Sequence, residues 1–265
     1  MKKLLENKWL LLGGLILVLL VNYTTMLGLF GNLSQGEVSD KYVNYLAPAG
    51  LTFSIWGIIY IGMGLVVYSE FKHEDHSYYN VVFRKKIKPL MIAWYLFNIL
   101  WNIFWVTEKL VLAMVMIILY WIVVALICYF IEQEDILYKE AIFLRWPSGF
   151  HLGWISFAVF ANAMSLITQL GLNSLETFGL ILSIALMIVA LLFVIVFAME
   201  FSNFMILIPA LWGIFGIVLK HLPSSEFVHQ NSVMFYASAF MLGVGVFAWA
   251  ALAFRGDLTR AQLQV

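Results

Sequence analysis

Eight apolar runs, each long enough to cross a bilayer, fill most of the 265-residue chain, at 8–30, 48–68, 89–106, 110–131, 146–169, 177–199, 201–220 and 233–254. An α-helix rises about 1.5 Å per residue, so about 20 apolar residues span a hydrocarbon core about 30 Å thick. Only 11% of the residues are charged and 63% are hydrophobic, too little charge to clothe a soluble domain of this size. In lipid every backbone amide needs a partner within the protein, and runs this long and uniform do not suit barrel strands. The expected fold is therefore all-α, a polytopic membrane bundle of eight transmembrane helices.

Lysine and arginine orient the bundle. Twelve of the fifteen basic residues fall in alternate segments: Lys2, Lys3 and Lys8; Lys72, Arg84, Lys85, Lys86 and Lys88; Lys139 and Arg145; Arg255 and Arg260. The other side holds Lys41, Lys109 and Lys220. The positive-inside rule then puts both termini in the cytoplasm, which requires an even number of spans. A plasma (inner) membrane location follows as the expectation. The first run is too long for a signal peptide and no small-residue cleavage site follows it, so it reads as an uncleaved span. The single cysteine, Cys128, lies within the fourth run and reads as packing. The longest connections are 31–47 on one side and 69–88 on the other, while 106–109 is a tight turn closing an antiparallel hairpin. The basic run at 84–88 reads as an orientation anchor against anionic headgroups.

Polar groups inside spans are costly, so their positions carry the functional signal. Three runs place them on one helical face each. The second has Phe53, Trp56 and Tyr60; the third has Trp94, Asn98, Trp101 and Trp105, with Asn102 adjacent; the fifth has His151, Trp154, Ala158 and Asn162. Asn22 adds an amide to the first. One reading makes these groups ties between helices, worth about 0.6 kcal/mol per hydrogen bond. The other has the three faces converge on a cavity for a flat, largely apolar ligand, with indole walls and a few amide hydrogen-bonders. Both stay open on sequence alone. No nucleophile set, phosphate loop or paired-carboxylate site is present, so no catalytic residue is assigned. His73 and His76 lack companion ligands, so no metal or cofactor is expected.

The segment from Pro48 through Trp56 and Tyr60 to Met63-Gly64 resembles the helix-two signature of the TspO/translocator-protein family, the tryptophan-rich sensory proteins. Asn98-Ile-Leu-Trp101 is similar to its helix-three motif, and Trp154-Ile-Ser-Phe157-Ala158 with Asn162 to its helix-five motif. Departures include Ser54 and Leu51 where the family pattern has a proline and a tryptophan. The resemblance implies a five-helix bundle over 1–170, with a pocket opening toward the connection between helices one and two, followed by a three-helix extension over 171–265. It implies binding of a hydrophobic small molecule, porphyrin-like or sterol-like, at Phe53, Trp56, Tyr60, Asn98, Trp101, Trp105, His151, Trp154 and Asn162. A non-enzymatic ligand-binding or sensory role leads. A transporter of a small hydrophobic solute and a light-dependent tetrapyrrole-degrading enzyme are the alternatives. Membrane lipids are the other expected partners, nucleic acid is not, and a homodimer stays open.

Overall fold

The structure, a computed structural model, describes residues 5–31, 33–172 and 175–262, with side chains through Arg255. Lys2 and Lys3, and the side chain of Arg260, which the topology argument used, lie outside the described residues. Eight helices among the described residues are long and apolar enough to cross a membrane, so this is an integral multi-pass membrane protein. They are α1 (Trp9–Met26), α2 (Ile55–Lys72), α3 (Lys88–Val106), α4 (Leu110–Gln133), α5 (Trp146–Gln169), α6 (Thr177–Glu200), α7 (Leu207–His221) and α8 (Ser232–Gln262).

The first five close into a ring in the order α1, α2, α5, α4, α3 and back to α1. The α3–α4 pair is the expected hairpin. Its turn places Glu108 at φ +60°, and Lys109 N–H bonds Phe104 C=O at 2.8 Å, satisfying carbonyls the helix end leaves open. The remaining helices form a second layer on one side: α6 and α7 pack on α5, and α8 packs on α6 and α7.

Several local features differ from the sequence expectation. Residues 69–88 are not one long loop, because α2 runs to Lys72 and Tyr78–Lys86 forms a further helix, N-capped by Ser77. The 31–47 connection contains a helix at Gln35–Lys41, started by a capping box between Ser34 and Glu37 that also holds the Glu37 carboxyl below its ordinary range. Pro209 sits in the first turn of α7, where no intrahelical acceptor awaits its missing N–H.

Three residues of the basic run at 84–88 are engaged within the protein. Lys88 is wholly buried and bonds both oxygens of the equally buried Glu70 at 2.8 and 3.0 Å, as well as the Asn7 carbonyl at 2.9 Å. Arg84 bridges Glu70 at 2.6 Å and Asp75 at 2.9 Å, and Lys86 pairs with Glu134 at 2.7 Å. His73 is likewise engaged, 3.1 Å from Glu140 and stacked on Tyr79. Two or more partners per buried charge offset its loss of water. These ion pairs pin the N-terminal segment, the end of α2 and the start of α3 together.

Candidate functional site

The helical spacing seen in the sequence brings rings from three helices together. Trp56 of α2 is the hub: Tyr60 stacks on it at 5.7 Å, Trp101 of α3 lies at 5.8 Å, and Trp154 of α5 meets it edge-on at 6.1 Å and 85°. Trp105 stacks one turn beyond Trp101, at 6.2 Å. Edge-to-face and offset contacts of this kind are the favoured aromatic geometries. The four indoles wall a cavity together with Phe53, Phe157, Ala158, Ala161, Asn162 and Ser165, and with Ser39, Ala47 and Pro48 from the α1–α2 connection. Six of the nine expected ligand residues therefore line one space: Phe53, Trp56, Trp101, Trp105, Trp154 and Asn162.

Hydrogen-bond demand within the wall is uneven. Trp101 Nε1 donates to Asn162 Oδ1 at 3.0 Å, and Trp105 Nε1 to the Gln35 carbonyl at 3.1 Å. Trp56 and Trp154 are buried, and their indole N–H groups have no acceptor. Trp94, Trp146 and Trp249 share that lack, so the orphaned donor alone does not define a site. Trp56 and Trp154 differ from those three in that they also line the cavity, and buried donors in native proteins are nearly always paired.

The other three expected residues sit elsewhere. Asn98 and His151 belong to a chain of buried groups that crosses the ring beside the cavity. Asn22 Nδ2 donates to Asn98 Oδ1 at 2.8 Å, and Asn102 Nδ2 to Asn22 Oδ1 at 2.9 Å. Asn98 Nδ2 reaches the Tyr120 oxygen at 3.3 Å, and Tyr120 in turn meets His151 Nε2 at 2.5 Å. Because Asn98 supplies a proton to the Tyr120 oxygen, the phenolic O–H is free to donate to the imidazole. Gln35 extends the chain to the α1–α2 connection through Asn102. Tyr60 stands between the two groups, its ring on Trp56 and its hydroxyl facing Asn22 and Asn98 without full hydrogen-bond geometry.

The connection over the cavity is held by polar groups. Glu108 receives Lys41 and the Tyr42 hydroxyl (2.7 Å), which together hold its carboxyl below the usual range. Gln169 Nε2 bonds the Tyr42 hydroxyl at 3.1 Å and the Glu108 carbonyl at 2.8 Å. Asn44 accepts from Leu46 and Ala47 N–H and reaches Ser165 at 3.4 Å. The cover is packed as well as hydrogen-bonded: Val38, Asn44, Leu46 and Ala47 are fully or almost fully buried.

Ala161 and Ser165 were not singled out in the sequence and Phe157 only as part of the helix-five motif, although all three continue the Trp154 face at i+3, i+7 and i+11. Ser39, Ala47 and Pro48 come from a connection, where no periodicity could mark them. Among the described residues no cluster of three potential metal ligands occurs.

Fold and cavity together define a multi-pass helical membrane protein with an aromatic-walled pocket under a polar cover. A family model described as TSPO-like protein matches residues 8–252, and the chain belongs to that family, whose members are membrane ligand-binding and sensory proteins. The match takes in the last three spans as well as the first five. No curated protein and no solved structure matches the chain.

Proposed function

We propose that this protein binds a flat, largely apolar ligand of porphyrin-like or sterol-like kind between Trp56, Trp101 and Trp154, and acts as a binding or sensory protein without catalysing a reaction. The observation that carries this reading is the pair of buried indole N–H groups, on Trp56 and Trp154, in the wall of one cavity. A ligand acceptor would satisfy them where the protein does not. The cavity is small, about 40 Å³, room for about three waters at about 10–15 Å³ each. A larger occupant needs the Trp56 and Trp154 rings to turn and the Lys41–Ala47 cover to lift. Binding is therefore coupled to opening, and affinity is reduced by the scarcity of the open form.

Titration of the purified protein with protoporphyrin IX, read by tryptophan quenching, tests the reading. Trp154→Ala and Asn162→Ala are each expected to weaken binding about ten-fold, from a lost ring contact of about 1 kcal/mol or a lost amide bond of about 1–3 kcal/mol. Wild-type affinity in both variants would remove the pocket assignment. The orientation proposed with it, both termini cytoplasmic, is read by cysteine labelling on a Cys128→Ala background. Lys139→Cys should react with an impermeant reagent only after the cells are opened.

A further inference from the structure

A second and larger cavity lies at the seam between α2 and the start of α5. Ile58, Ile61 and Leu65 of α2, Trp146 and Phe150 of α5, and Met205 from the segment just ahead of α7 line it. Its volume is about 250 Å³, against about 40 Å³ for the aromatic cavity. The two helices touch here through short groups: a Cβ on Gly62 would lie 3.2 Å from Pro147 Cβ. That close contact leaves room beside it for an occupant. The cavity is open at the side. Ile58 and Ile61 are 59% and 71% exposed, and both lie within the second span. What reaches the mouth is therefore hydrocarbon rather than water.

The lining is apolar except at one point. Trp146 Nε1 is shielded from solvent and, among the described residues, meets no acceptor. Its nearest ring neighbour is Phe204, at 6.3 Å, which does not relieve the donor. Within a membrane no water stands by to take the bond, and an unmade bond at a shielded donor is costly.

Depth says which occupant brings the acceptor. Trp146 is the first residue of α5, at the end of the span, the level at which indoles gather at a membrane edge. Lipids carry ester carbonyls at that level and only alkyl chain below it. From Leu65 to Ile58 the groove follows α2 for about 10 Å toward the middle of the span. One polar demand at the edge and an apolar trough leading inward match a phospholipid chain and its ester. The cations on this side are already engaged: Lys72 with Glu140, Lys139 with Asp135 and Arg145 with Glu132. None is left over to select a headgroup by its charge.

We infer that the groove between α2 and α5 is a lipid site, which holds one phospholipid acyl chain and takes its ester carbonyl as the acceptor for Trp146 Nε1. It uses none of the residues of the aromatic cavity and does not depend on what that cavity binds. Met205 belongs to the second layer, so the three added helices help to complete the site.

The test uses the full chain in mild detergent, offered equal amounts of a diester and a diether phosphatidylcholine of the same chain length. Retained lipid is counted by native mass spectrometry. The wild type should hold one lipid more firmly than the rest, and should prefer the diester by about three- to five-fold, the scale of one neutral hydrogen bond in a membrane. Trp146→Phe keeps a ring without the donor and should hold both lipids equally. Leu65→Phe fills the groove and should lose the firmly held lipid. Phe240→Ala, on the outward face of α8, should keep lipid and preference alike, and phosphatidylglycerol should be held as phosphatidylcholine is. Equal retention of diester and diether by the wild type would overturn the inference, as would a diester preference that survives Trp146→Phe. Retention unchanged by Leu65→Phe would place the lipid elsewhere and overturn it too. If Leu65→Phe does not fold, the preference kept or lost in Trp146→Phe decides alone. A preference for phosphatidylglycerol whatever the linkage would mark a headgroup site, and displacement by cholesterol without any ester preference would mark a sterol site; either result sinks the inference.

Discussion

α5 and α8 are both long apolar helices, but 67% of an apolar 18-residue stretch of the fifth span is buried against 11% of one in the eighth. α5 spends three faces on different neighbours. Trp154, Ala158 and Asn162 face the cavity, His151 meets Tyr120, and Gly149, Gly153 and Phe157 receive Asn203, Ile206 and Gly213 of the second layer. α8 instead turns Tyr236, Phe240 and Phe247 outward, each about two thirds or more exposed. Where helices must meet in one register, the chain uses amides, indoles and glycines. Where a helix meets lipid, any large apolar side chain serves, because lipid tails compete equally with protein for apolar surface.

The largest test of that contrast lies at the end of the ring away from the cavity cover. Glu70→Ala leaves Lys88 buried without its carboxylate and should cost about 3–5 kcal/mol, seen as a large fall in Tm in detergent. The double variant Glu70→Leu/Lys88→Met should recover most of the loss, since it removes both charges. A fall no greater than that of an outward α8 variant would mean the ring is not held by this pair.

A smaller effect is expected where the layer meets the ring. A Cβ on Gly213 would run into the Phe157 ring, whereas one on Gly243 meets nothing within 4 Å. Gly213→Ala should cost about 1–3 kcal/mol through overpacking, and should change ligand affinity because Phe157 lines the cavity. Gly243→Ala should be neutral or stabilising by up to about 1 kcal/mol, the helix preference for alanine over glycine. Equal effects at the two glycines would mean that α7 does not dock closely on α5.

How much of this was legible depended on periodicity. The eight helices and the α3–α4 hairpin follow from run length, and i, i+3, i+4 and i+7 spacing puts Trp56, Trp101 and Trp154 each on one helical face, while their meeting was one of two readings left open. The split between cavity and amide chain did not. Asn98 and His151 share helical faces with Trp101 and Trp154, and only the partners on α1 and α4, Asn22 and Tyr120, show that they serve a different neighbour. Those partners are distant in sequence, so no spacing rule connects them. The seat for α7 had a signal that went unused, Gly149 and Gly153 four residues apart, the usual mark of a close helix approach in a membrane. Lys220 read only as an orientation charge at the end of its run, because burial of a span end depends on tertiary packing.

The smallest expected effects lie on α8 and give the comparison its baseline. Trp249 is half-buried and makes one ring contact, with Phe204 at 6.4 Å, on the far side of α7 from the cavity. Phe247 is 77% exposed. Phe247→Ala trades protein surface for lipid contact and should stay within about 0.5 kcal/mol of wild type. Trp249→Ala should lose a little stability and no protoporphyrin affinity. Trp154→Ala removes the same side chain from α5 and should lose affinity, so the pair of variants separates a tryptophan that binds from one that only packs. The total fluorescence falls by one indole in each case, and affinity must therefore be taken from the midpoint of quenching rather than its amplitude. Equal midpoints for the two variants would mean that the α5 indole is also only packing, and the contrast between ring and layer would then describe stability alone.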